Sequence, residues 1–157
     1  MKISFLTSLG PITIEEEGGS ITSLLFSFSE TSDYSPLLEK AKEEVEEYIR
    51  GERKEFDLPL SPKGTPFQEK VWRELTNIHY GEKVSYGEIG ERIGNKAYRA
   101  IGNACGKNPI PIIIPCHRVV GKNNLGGFSL GLELKKKAIG NRKKLKFCIF
   151  FIGSFCL

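Results

Sequence analysis

Three prolines and a glycine fall within Leu58-Pro59-Leu60-Ser61-Pro62-Lys63-Gly64-Thr65-Pro66. So dense a cluster of chain breakers cannot sit inside a regular helix or a central strand. It reads as a linker dividing the chain into residues 1–62 and 63–157, and 157 residues suit one domain or two small ones. The two parts differ in charge. Residues 1–62 carry six Lys/Arg against thirteen Asp/Glu, and residues 63–157 carry seventeen against six. The overall +4 therefore hides a balance of −7 and +11. With 39% hydrophobic and 27% charged residues, disordered, collagen-like and fibrous classes are excluded.

In the acidic part, Lys2 to Leu6, Ile12 to Glu16 and Ile21 to Ser29 alternate apolar with polar residues around Gly10-Pro11 and Gly18-Gly19. This pattern predicts a small antiparallel meander. From Pro36 to Arg50, Leu37, Leu38, Ala41, Val45, Tyr48 and Ile49 recur at helical spacing, with Pro36 to start the helix and Gly51 to stop it. Glu43, Glu44, Glu46 and Glu47 read most simply as its solvated face. Nothing in this half has the signature of a site, and it reads as scaffold.

The basic part opens on Thr65-x-x-Gln68, a capping box with Pro66 at the first helical position; Phe67, Val71, Trp72, Leu75 and Ile78 form one face of a helix ended by Tyr80-Gly81. A second box, Ser85-x-x-Glu88, starts a short helix from about Tyr86 to Arg92, closed by Gly94. A third helix is expected from about Lys96 to Lys107, carrying the small residues Ala100, Gly102, Ala104 and Gly106. Two short helices about a tight turn describe a helix-turn-helix. The small residues permit close approach to a nucleic-acid backbone, and they equally permit tight packing inside a helical domain.

The Met-Lys-Ile-Ser start carries no cleavage pattern, so a reduced, cytoplasmic setting is expected, or a nuclear one in a eukaryote. Cys105, Cys116, Cys148 and Cys156 form no C-x-x-C pair, and His79 and His117 lack metal-ligand spacing. No metal is expected. The apolar run Phe147 to Leu157 is well below the roughly 20 residues of a membrane span. It reads as a core segment or a tail, not as an anchor.

Asn108-Pro109-Ile110-Pro111-Ile112-Ile113-Ile114-Pro115-Cys116-His117-Arg118-Val119-Val120 follows the helix pair. Ile112 to Ile114 reads as a buried strand or extended segment that Pro115 terminates, delivering Cys116 and His117 where the chain leaves the core. A thiol beside an imidazole and a guanidinium is in surroundings that favour thiolate. A cysteine after an apolar run is also often a buried structural residue. Neighbours on an extended chain point apart, so His117 reaches Cys116 only through a bent backbone or a bridging water.

Pro115-Cys116-His117-Arg118-Val119, Asn108-Pro109-x-Pro111, Val84-Ser85-Tyr86, Arg99-Ala100-Ile101-Gly102 and Gly127-Phe128-Ser129-x-Gly131-Leu132 occur here with an order and spacing that resemble the O6-alkylguanine-DNA alkyltransferases, over roughly residues 65–135. The resemblance implies an α+β fold: a small N-terminal antiparallel sheet with a helix, then a mostly α, winged-helix-like domain with a helix-turn-helix. It implies irreversible, stoichiometric transfer of an alkyl group from O6 of guanine, and from O4 of thymine, to Cys116 after base flipping. His117 would be the base and Tyr86 would crowd the target phosphate and contact the flipped guanine. Arg99 would be the intercalating finger and Asn108 a hinge. Pro111 and Ser129 would line the pocket, with the carbonyls of Cys116 and Val119 accepting from the exocyclic amine, and Arg118 would be among the DNA and substrate contacts. The expected partner is double-stranded DNA containing O6-alkylguanine, bound by a monomer, with no cofactor because the lesion itself is the donor. A glutamate usual on the family's last helix falls on Arg142, and from about residue 138 the tail departs from the family. A protein that binds the lesion with weak or no transfer is the alternative this departure raises.

Overall fold

The computed structural model describes residues 1–120. Strands β1 (Lys2–Thr7), β2 (Gly10–Glu17) and β3 (Ser20–Leu25) form an antiparallel sheet in the order β1-β2-β3. Ile3 pairs with Ile14 and Phe5 with Ile12, so strand alternation buries all four on one face. A register shift between Glu15 and Glu16 brings Ile21 to the same buried face as Leu24. β3 ends at Leu25, short of the expected Ser29. Beyond it side chains replace the ladder: Thr13 Oγ1 donates to the Ser27 carbonyl at 2.7 Å, and the Ser29 amide donates to Ser4 Oγ at 3.0 Å.

Helix α1 (Pro36–Arg50) packs on β1 and β2 through Leu38, Ala41, Val45 and Tyr48. Ser35 Oγ accepts from the Leu38 amide at 3.0 Å, and Gly51 closes the helix. Glu44 corrects the sequence reading: it is buried, not solvated. Its carboxylate accepts from the Asp57 amide at 3.0 Å and is flanked by Arg53 at 3.6 Å and Lys40 at 3.9 Å. A buried carboxylate is tolerable because a backbone donor and two cations compensate it, and it holds the returning chain against α1.

The proline-rich seam is docked along β3, where Ile21 forms a parallel bridge with Leu60. The Ile21 amide donates to the Pro59 carbonyl and the Ser61 amide to the Ile21 carbonyl, both at 2.8 Å. Beyond it lie α2 (Pro66–Thr76), β4 (Val84–Ser85), α3 (Tyr86–Ile93) and α4 (Tyr98–Gly106). They are followed by a 3-10 helix (Cys116–Arg118) and β5 (Val119–Val120). Both capping boxes are formed, Thr65 with Gln68 and Ser85 with Glu88. α2 stops before Tyr80-Gly81, at an Asn77 cap, yet Ile78 stays buried in the turn beyond.

α2 packs on both α3 and α4. Trp72 Nε1 donates to the Ala104 carbonyl at 2.7 Å, which sets α2 against α4. Gly94, at φ 69°, makes the left-handed turn between α3 and α4, where a side chain would be strained. Buried residues of both halves join in one hydrophobic cluster. The fold is α+β. Among the described residues no helix is long and apolar enough to cross a membrane.

Candidate active site

The segment from Asn108 to Arg118 was expected to run extended through Ile112–Ile114, and the structure corrects this: residues 111–113 form a turn and residue 114 a bend. Pro109 and Pro111 have no N–H to place in a ladder, and Asn108 supplies replacement bonds. Its Oδ1 accepts from the Ile110 amide at 3.0 Å, and its Nδ2 donates to the Ile114 carbonyl at 2.8 Å. The Ile114 amide in turn donates to the Ile110 carbonyl at 2.9 Å. Ile112 is forced to φ 73° while its side chain is buried, a conformation costly for a β-branched residue.

These turns deliver Cys116 as the first residue of the 3-10 helix, so the backbone around it is bent and His117 follows on the next step of a tight turn. Cys116 and His117 are 6% and 3% exposed. β5 then pairs in parallel with β4, Val84 opposite Val119 and Ser85 opposite Val120. That pairing brings Tyr86, the first residue of α3, beside the turn that carries Cys116. Burial, chiefly, holds the Tyr86 hydroxyl well above the usual phenol range, and Cys105 and Cys116 push the same way. Tyr86 therefore lies within electrostatic reach of both thiols, and it keeps its proton at neutral pH.

Pro111 and Val119 are buried beside this turn. Arg99 stands apart in the exposed first turn of α4, where every residue from Gly94 to Ala100 is exposed. Arg118 points inward: it donates to the Ile78 carbonyl at 2.8 Å and to Tyr48 Oη at 3.2 Å. Ser129 and Arg142 lie outside the described residues, as does the apolar tail. Sequence reasoning missed Cys105 as a neighbour of Tyr86, and Tyr48 as a partner of Arg118. Neither has a local signal, because each contact joins elements distant in the chain.

A thiol, an imidazole and a proton-bearing phenol around one buried turn can carry a nucleophilic displacement. The family model described as 6-O-methylguanine DNA methyltransferase, ribonuclease-like domain, matches residues 2–62, and that described as its DNA binding domain matches residues 66–142. The constitutive methylated-DNA–protein-cysteine methyltransferase of Bacillus subtilis is 47% identical over 130 residues, which is 75% of this chain and 79% of that protein. A probable methylated-DNA–protein-cysteine methyltransferase of Acanthamoeba polyphaga mimivirus is 42% identical over 92% of this chain and 98% of its own length. The crystal structure of Mycobacterium tuberculosis OGT in complex with DNA matches with a TM-score of 0.76 and 35% identity, over 94% of this chain and 98% of that one. By both family models, by these relatives and by the fold, the chain belongs to the O6-alkylguanine-DNA alkyltransferases, the methylated-DNA–protein-cysteine methyltransferase family.

Proposed function

We propose that Cys116 is the alkyl acceptor of this DNA-repair methyltransferase, taking the group from O6 of guanine, and from O4 of thymine, in duplex DNA. The single observation that carries the reading is the placement of Cys116 on a turn held by Asn108, beside a partly buried Tyr86 whose hydroxyl keeps its proton. In the reaction His117 takes the thiol proton and Sγ attacks the alkyl carbon. The carbon–oxygen bond breaks, and its electron pair leaves with the base, whose developing negative charge Tyr86 stabilises by donating a hydrogen bond; the proton that His117 took from the thiol is then available to neutralise the released base. The product thioether has no leaving route, so each molecule acts once.

A lesion inside stacked duplex is out of reach of a buried thiol, so the nucleotide must be flipped. Arg99 is the side chain we assign to the gap, since its flat guanidinium can stack like a base while its charge stays near phosphates. Its exposed position on α4 supports this. Asn108 holds the active-site turn, while Pro111 and the carbonyls of Cys116 and Val119 are assigned to the base pocket; Ser129 is assigned to it by its motif alone. The protein acts as a monomer.

Duplex DNA carrying labelled O6-methylguanine tests the proposal. Label is expected on Cys116, and Cys116→Ser is expected to abolish transfer with DNA affinity nearly intact. Tight lesion binding without transfer by the natural protein, or label transfer by Cys116→Ser, would overturn it.

A further inference from the structure

The segment that carries Cys116 is gripped at both ends by other parts of the fold. At one end the Leu24 amide of β3 donates to the Pro109 carbonyl at 2.9 Å. At the other, Arg118 closes the 3-10 helix and sends Nη2 to Tyr48 Oη on α1 at 3.2 Å and Nη1 to the Ile78 carbonyl at 2.8 Å. The guanidinium also lies over the Tyr80 ring, 5.5 Å from its centroid. Tyr48 is itself seated between Phe56, at 5.0 Å, and the edge-on ring of Tyr80, at 6.5 Å. A planar guanidinium engaged on three sides keeps little rotational freedom. A three-residue 3-10 helix has almost no stability of its own. The orientation of Cys116 is thus inherited from what Arg118 holds.

We propose that Arg118 is a positioning residue for alkyl transfer. Through Tyr48 and Ile78 it sets the angle of the Cys116–Arg118 turn, which makes α1 of the acidic half part of the reacting apparatus and not only a scaffold. This rests on Cys116 being the acceptor. Displacement at an sp³ carbon needs sulfur, carbon and leaving oxygen nearly in line, and a misplacement of about 1 Å costs on the order of a hundredfold in rate. Contacts that aim the sulfur act on the rate of the bound complex. A phosphate contact by the same arginine would act on affinity and its salt dependence.

Tyr48→Phe removes only the acceptor hydroxyl, and Arg118→Lys keeps the charge but loses the fork. Both are compared with the natural full-length chain, at a temperature where all are folded, in three measurements. These are the first-order transfer constant at saturating O6-methylguanine duplex, the affinity for that duplex, and amide hydrogen exchange over residues 113–118. The transfer constant is expected to fall about threefold for Tyr48→Phe and about tenfold for Arg118→Lys, with affinity within about twofold and faster exchange in the turn. Affinity falling in step with rate would assign Arg118 to DNA and overturn the proposal, as would unchanged rate and exchange in Tyr48→Phe. If the natural chain transfers nothing to Cys116, the acceptor reading fails by itself. The exchange comparison then still decides whether Arg118 and Tyr48 order the turn.

Discussion

The side-chain amide of Asn108 donates to the Ile114 carbonyl at 2.8 Å, and this bond spans Ile112, whose φ of 73° is the one positive value among the described non-glycine residues. A β-branched residue held there stores on the order of 1–3 kcal/mol of strain. Asn108, 3% exposed, offsets that strain by satisfying one carbonyl and one amide that water does not reach. Asn108→Ala orphans the buried Ile110 amide and leaves the Ile114 carbonyl with the Cys116 amide alone, at 2.9 Å, and is expected to cost about 1–3 kcal/mol. Urea unfolding measures this, and a loss under about 1 kcal/mol would mean that the turn is held by something else.

Gly90 and Gly102 lie on the helix pair but face different surroundings. A Cβ on Gly90 would come within 2.5 Å of the Asn95 carbonyl oxygen and 3.3 Å of the Tyr98 ring, whereas one on Gly102 meets nothing within 4 Å. Gly90→Ala should force α3 from the start of α4 and destabilise by about 1–3 kcal/mol. Gly102→Ala should raise stability by up to about 1 kcal/mol through helix propensity. If α4 faces DNA as proposed, Gly102→Ala also weakens duplex binding despite its greater stability. A variant that is stabilised and binds unchanged would place the DNA elsewhere.

Tyr86 makes a pH prediction with a definite sign. Below about pH 10 both folded and unfolded chains keep the phenol proton, so the group's effect on stability is level. Above that the unfolded chain releases its proton first, because burial holds the folded-state pKa higher, and stability falls as pH rises. The decline in melting temperature above about pH 10 should therefore be shallower in Tyr86→Phe. Identical slopes would show that the hydroxyl is not sequestered. At pH 7, loss of this hydrogen-bond donor to the departing base should slow transfer about a hundredfold.

Trp72 is the single tryptophan and is 2% exposed, with Nε1 on the Ala104 carbonyl. Trp72→Phe removes that bond and leaves a space beneath α4, for an expected loss of about 2–3 kcal/mol. Thermal unfolding followed by circular dichroism reads this directly, and a melting temperature unchanged within error would contradict the role given to the bond.

Local chemistry made much of this molecule legible in advance. Capping depends on residues three apart, so Thr65 with Gln68 and Ser85 with Glu88 announced their helices, and Gly51 and Gly94 announced their ends. Periodicity located the buried faces of α1 and α2 for the same reason. It failed at Ile112–Ile114, where an apolar run looks alike in a strand and in a buried turn, and where the deciding bonds come from a side chain four residues before the run. It failed at Glu44 as well, since an acidic helix face looks solvated until a returning loop covers it.

By itself the sequence determined the capped starts of α1, α2 and α3, the division into acidic and basic parts, and the order of motifs that marks the family, because each rests on near neighbours or on composition. Only the tertiary structure decided where Arg118 points, that Cys105 joins Cys116 near Tyr86, and that the proline-rich seam is docked on β3. Tyr48 and Arg118 are seventy residues apart in the chain. Side chains so distant become neighbours only when burial of both apolar faces closes the core between them, and that is a property of the whole fold rather than of any segment.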